Sequence, residues 1–175
     1  MDFTALYKRS PDPRIESVAR YIEELSPGAA LPLRRAFRPG RLRQVLGHIF
    51  LIEVLPSRGD YRFRLAGPQL GALYGMDLTQ CRLSGLANPQ LREALRQDYD
   101  EVVQSRSYRY LRGGYVWADR EIRAERLLLP MSNDEGTVDT IFGVAVPDVP
   151  DDLLLLCTGA GLPALRTDEM LSELA

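Results

Sequence analysis

Histidine and lysine are almost missing from this chain of 175 residues: His48 is the only histidine and Lys8 the only lysine. Cysteine occurs twice, at Cys81 and Cys157, at no spacing that suits a zinc site or a disulfide framework. No metal site is expected. The net charge of −2 supplies no basic field, so nucleic acid is not an expected partner. The longest late apolar run, Leu153–Cys157, is too short to cross a bilayer. MDFTALYKRS lacks the apolar stretch of a leader, and a cytoplasmic protein is expected with no membrane insertion. There is no phosphate-cradling glycine loop and no nucleophile motif.

What is present is a soluble-protein composition, 45% hydrophobic and 26% charged, in a length that suits one domain with flanking structure. Asp12-Pro13 reads as a helix start, with the carboxylate as cap and proline in the first turn. Ile15, Val18, Ile22 and Leu25 then fall on one face, a stripe that needs cover from its own sheet or from the same helix of a second copy. A dimer through those four residues is expected. Pro39 opens a short helix that Gly47 stops. Ile49–Leu55 is nearly continuous apolar, as in a central strand covered on both faces. After the turn Ser57–Asp60, Tyr61, Phe63 and Leu65 alternate with Arg62 and Arg64, which predicts one buried face. Gly67-Pro68 opens a helix carrying Leu70, Leu73 and Tyr74.

Asn88-Pro89 starts a helix over about 89–105, with Leu91, Leu95, Tyr99 and Val102 at helical spacing. Three strands follow at 108–117, 122–131 and 137–146, with Gly113-Gly114 as a kink and Ser132–Gly136 as a turn. Two strands, helices, then three strands predict an α+β domain, one five-stranded antiparallel sheet with helices on one face and an N-terminal amphipathic helix besides. Residues 1–28 are read as lead-in and helix, 29–146 as the domain, and 147–175 as linker and tail, with a terminal helix or docking tail in Leu153–Leu156 and Thr167–Leu174.

Leu31-Pro32, PGRLRQVLGHIFLIEVL at 39–55, YRFRLAG at 61–67, Tyr74–Thr79, ERLLLPMS at 125–132 and TVDTIFG at 137–143 stand in one order across residues 20–146. In these segments the chain resembles the PAS family, and in particular a subfamily of single-domain PAS proteins from alphaproteobacteria. The resemblance implies helices and a five-stranded sheet enclosing a small cavity, and a role in sensing or protein interaction, often as a dimer. It fixes no ligand, and the cofactor stays unknown. No kinase or cyclase signature follows Val146, so the signal is expected to pass to a separate protein.

The expected ligand-binding residues are Phe63, Tyr74, Tyr99, Trp117 and Leu129, whose side chains offer stacking and apolar surface. Arg64 and Arg126 are added because guanidinium grips carboxylate or phosphate in two places. Haem is disfavoured, since the predicted helices carry no histidine to ligate it. Flavin is disfavoured as well: Thr79-Gln80-Cys81-Arg82-Leu83 has Gln80 where photosensory PAS domains place Asn before their reactive Cys, and the later strands lack the paired Asn residues. Arg34, Arg35, Arg38, Arg41 and Arg43 are the densest basic cluster, a candidate for an anionic ligand but more simply a solvated loop. Glu121 and Glu125 share a strand face, where a solvated edge is commoner than an acid–base pair. No catalytic residue is expected. The alternatives are a small cone-shaped α+β enzyme pairing His48 with Asp77 or Asp139, and a ligand-free scaffold that binds protein.

Overall fold

A computed structural model describes residues 1–9, 11–26, 28, 30–117, 120–150 and 164–169, with the side chains at 58, 115–117, 120, 121 and 164–169 left aside. The helices are α1 (Thr4–Tyr7), α2 (Pro13–Leu25), α3 (Pro68–Tyr74) and α4 (Pro89–Ser105). The strands are β1 (Ile49–Leu55), β2 (Asp60–Ala66), β3 (Arg109–Trp117), β4 (Arg120–Ser132), β5 (Val138–Pro147) and β6 (Ala164–Glu169). They form one sheet in the order β2-β1-β5-β4-β3-β6, antiparallel at every pairing. The five strands read in the sequence are there. The sixth, β6, falls where a terminal helix or tail was expected. Leu153–Leu156 and Cys157 lie outside the described residues.

Both long helices begin as their sequences dictate. Asp12 Oδ1 accepts from the Arg14 N–H at 2.8 Å. Asn88 Oδ1 accepts from the N–H groups of Gln90 and Leu91 at 3.0 and 3.1 Å. Each is followed by proline, whose missing N–H costs nothing in a first turn. Gly59, with φ +56°, turns β1 back into β2.

Helices α3 and α4 cover one face of the sheet, and the N-terminal helices cover the other. On the first face α3 and α4 pack on Phe50, Ile52, Phe63, Leu111, Leu128 and Ile141. On the second, α1, α2 and the 3-10 turns before β1 pack on Ile49, Leu127, Leu129, Met131, Phe142 and Val144. Alternation along β4 and β5 sends neighbouring residues to opposite cores. Ile15, Val18 and Ile22 have 0% accessible surface within this single chain, and Leu25 packs beside them. Of the two covers considered for that stripe, its own sheet is the one present. No second copy is needed to bury it, and a dimer built on it would first have to uncover it.

β2 does not keep one buried face. Phe63 pairs with Ile52 and Leu65 with Leu51, so the register skips Arg64. This bulge sends Phe63 to the α4 side and Leu65 to the α2 side. Past β2, Gly67 lies against Gly47, where an added Cβ would meet the Gly47 carbonyl oxygen at 2.3 Å. Only glycine allows the strand end to approach the start of β1 that closely.

Asp60 fastens β2 to the segment ahead of α4. Its carboxylate accepts from the Ser84 hydroxyl at 2.6 Å, the Tyr61 N–H at 2.8 Å and the Ser84 N–H at 3.2 Å, and Arg96 lies 3.6 Å away. Burial pushes its pKa up, but the Ser84 and Tyr61 hydrogen bonds outweigh that and hold it below the ordinary 3.8. A depressed carboxyl stabilises the fold fully above 3.8 and loses that contribution as pH falls below it. Ser84→Ala should therefore lower stability at neutral pH and flatten the loss on acidification, read from urea unfolding between neutral and acid pH. Ile22→Ala should cost about 2–5 kcal/mol by opening a cavity between α2 and the sheet. Because the cover is intramolecular, the unfolding midpoint of that variant should not change with protein concentration.

Candidate functional site

The face between the sheet and α4 contains charge in an apolar setting. Leu91, Leu95, Tyr99 and Val102 of α4 turn inward, and Asp98 shares their face one turn after Leu95. Beneath it, Arg109 is opposite Leu128 and Leu111 is opposite Arg126 across β3 and β4. The two arginines are thus diagonal neighbours on one sheet face. Arg126 Nη2 stands 3.1 Å from Asp98 Oδ2, and Arg109 Nε stands 3.2 Å from Asp98 Oδ1. All three side chains are at most 6% exposed. Arg109 Nε and Nη2 have no hydrogen-bond acceptor among the described residues. Burial pushes the Asp98 carboxyl above its usual range, against the pull of Arg126 and Arg109.

Of the expected ligand residues, the structure brings together Phe63, Tyr74, Tyr99 and Arg126 on this side. The Tyr99 ring meets that of Tyr61 edge-on at 5.2 Å, and Phe63 lies 6.4 Å from Phe50. Leu129 is separated from them: it points into the α2 core, and its neighbour Leu128 holds the place it was expected to take. Arg64 is exposed at the bulge. The side chain of Trp117 lies outside the described ones. Asp98 and Arg109 were not anticipated. The signal for Asp98 was a charged residue inside the apolar stripe 91, 95, 98, 102, and for Arg109 the same parity as Leu111.

A second feature is an open cleft of about 600 Å³ lined by Asp12, Arg112, Gly113, Gly114, Arg123, Ala124, Glu125, Val146, Pro147 and Asp148. It runs over β3, β4 and β5 beside the start of α2. Glu125 accepts from the Tyr110 hydroxyl at 2.7 Å and from the Asp12 N–H at 2.9 Å. Arg112 donates from Nε to the Tyr110 oxygen at 2.8 Å. Burial and Glu125 push the Tyr110 phenol well above its ordinary range. Glu125 therefore belongs to a hydrogen-bonded structural network and not to a solvated edge.

His48 is buried, with Nε2 3.2 Å from Arg14 Nη1, and Arg14 pairs with Asp12 at 3.0 Å. The carboxylate linked to His48 through Arg14 is that of Asp12, not Asp77 or Asp139. Asp77 instead accepts from the Thr79 N–H at 2.8 Å, while Asp139 engages the Thr140 hydroxyl at 2.9 Å and Arg34 at 3.6 Å. The arginine-rich loop is also matched by acids: Arg35 with Asp134 at 2.6 Å and Arg41 with Glu24 at 3.0 Å. The Cys81 thiol donates to the Asp77 carbonyl at 3.3 Å in the turn after α3. Among the described residues no helix is long and apolar enough to cross a membrane.

The strand and helix order defines an α+β domain built on one antiparallel sheet. The model of the PAS domain family matches residues 10–146, and the chain belongs to that family. Among solved structures, the chain is similar to a light-oxygen-voltage domain studied with a flavin analogue, at 16% identity, TM-score 0.45, covering 66% of this chain and 86% of the other. It is also similar to an RNA-binding light-oxygen-voltage receptor, at 20% identity and TM-score 0.40, covering 77% of this chain but 38% of that one. No curated protein matches.

Truncating Asp98 removes the carboxylate that both buried guanidinium groups face. Asp98→Ala should cost about 3–5 kcal/mol in urea unfolding. Removing the exposed partner of Arg20 with Glu16→Ala should change stability by about 1 kcal/mol or less.

Proposed function

We propose that this PAS domain takes a small molecule between its sheet and α4 and passes the outcome to a separate signalling protein. The observation that carries the reading is the Asp98–Arg109–Arg126 cluster. Burying charge is costly, and a packed apolar residue of similar volume would stabilise the same position as well or better. Polar groups placed in such an interior are most useful where they orient a guest. Phe63, Tyr74 and Tyr99 supply apolar and aromatic surface on the same side.

The route outward is built into β4. Arg126 and Leu128 face the α4 core, while Leu127 and Leu129 face α2. A shift of β4 against α4 is felt under α2, which makes the N-terminal helices the transmitter. The resemblance to single-domain alphaproteobacterial PAS proteins supports signalling through a separate partner. A second reading, a ligand-free interaction domain, is favoured by the open cleft of mixed charge beside Asp12.

Native mass spectrometry of freshly purified protein, repeated under denaturing conditions, separates the two. The expected result is a small molecule that leaves on denaturation and gives its mass. The same bare chain mass in both conditions would defeat the ligand half of the proposal in favour of the interaction domain.

A further inference from the structure

Gly143 is not a residue that its place in β5 asks for. It stands mid-strand between Phe142 and Val144, in the interior of the sheet, where β-branched and aromatic residues hold a strand best. Its φ is not positive, so the backbone conformation does not call for glycine. A glycine inside a strand marks a place that something approaches closely. Here the ring of Phe50 makes that approach. A Cβ added to Gly143 would lie 2.1 Å from Phe50 Cζ, 2.2 Å from Cε2 and 2.7 Å from Cε1. The far edge of the ring therefore occupies the place of the missing side chain.

The surroundings of that place are apolar. Ile141 is two residues back along β5, Leu128 is opposite Gly143 on β4, and Phe63 lies 6.4 Å from Phe50, all on the α4 side of the sheet. Ala66 is opposite Phe50 on its other flank, so both cross-strand neighbours of Phe50 are small. Strands accept more than one χ1 rotamer, and a ring between two small neighbours is the side chain of this face best placed to change it. A guest entering between the sheet and α4 meets a floor of bare backbone at Gly143 once that ring turns aside. The floor suits a flat apolar ring, because Ile141, Leu128 and Phe63 carry no polar side-chain atom.

We propose that Phe50 is a specificity-determining residue of the ligand site: its ring holds, over Gly143, the place taken by an aromatic ring of the guest, and turns toward Ala66 when the guest enters. The assignment rests on the ligand-binding reading above and deepens it by giving the chemical class of the guest. Exchanging one ring for another keeps the volume of the core, which a closely packed interior requires.

The test uses the full chain, with phenylalanine labelled by 13C in the ring and indole as the probe. Phe50→Leu, which lacks one signal, assigns Phe50 among the five phenylalanines. Indole should move the Phe50 signal with a saturating dependence and leave those of Phe37 and Phe142, in the opposite core, where they are. Gly143→Val puts a fixed side chain on the floor and should weaken indole binding by about tenfold or more. Far-ultraviolet circular dichroism checks folding; should Gly143→Val not fold, Gly143→Ala places a single methyl there, and weaker binding than in the wild type is again expected. A Phe50 signal that indole leaves unmoved, or equal binding by the wild type and the Gly143 variant, overturns the assignment. Native mass spectra keep the two readings apart. A molecule retained equally by wild type and Gly143→Val overturns the ring exchange and leaves the ligand-binding reading standing, whereas a bare chain that also ignores indole removes both.

Discussion

The sheet is apolar on both faces, and everything else in the fold answers to that. β5 is its centre, and all but one of its residues are buried. Phe142 and Val144 look one way, Ile141 and Ala145 the other. A sheet of this kind cannot stand in water with one side covered. The chain supplies two covers from separate stretches of its sequence: α1 and α2 before the first strand, and α3 and α4 between the second and third. The N-terminal helices are thus part of the same packed body as the strands they precede.

That arrangement separates two kinds of charge. On the outside, Arg20–Glu16, Arg35–Asp134 and Arg41–Glu24 are solvent-exposed pairs. Screening and side-chain entropy leave such pairs little net effect, and they give the surface its solubility. Beneath α4 the same chemistry stands away from water, where each missing partner is felt. The Glu125–Tyr110–Arg112 network lies between these limits, half-buried and tied to the backbone at Arg9 and Asp12.

Much of this was legible in the sequence. Asp-Pro and Asn-Pro gave both long helix starts, because a side-chain acceptor followed by proline does one physical task. Five strands followed from apolar runs and turn residues. Part of what was misread has one cause, which is parity. A single bulge at Arg64 reverses the side to which Leu65 points, and no residue type announces it. Leu127, Leu128 and Leu129 are indistinguishable by composition, yet the middle one faces α4 and its neighbours face α2. The stripe of α2 told that the helix is covered without telling by what. β6 was missed because ALRTDE has little strand character of its own; its partner β3 provides the ladder. Asp98 was hidden because a stripe is read for its apolar members.

The strand order has a temporal consequence. β1 pairs with β5, so Ile49 must find Val144 across most of the domain's length. Local hairpins, β1 with β2 and β3 with β4 and β5, need only short loops to close. Joining the two halves is a long-range step with a large closure entropy, and such steps set folding rates. Until it is complete, α2 has no second half of its seat to settle on. An emerging chain therefore holds an exposed apolar helix until β5 has been synthesised, the interval in which this protein is most open to capture by chaperones or by its own copies.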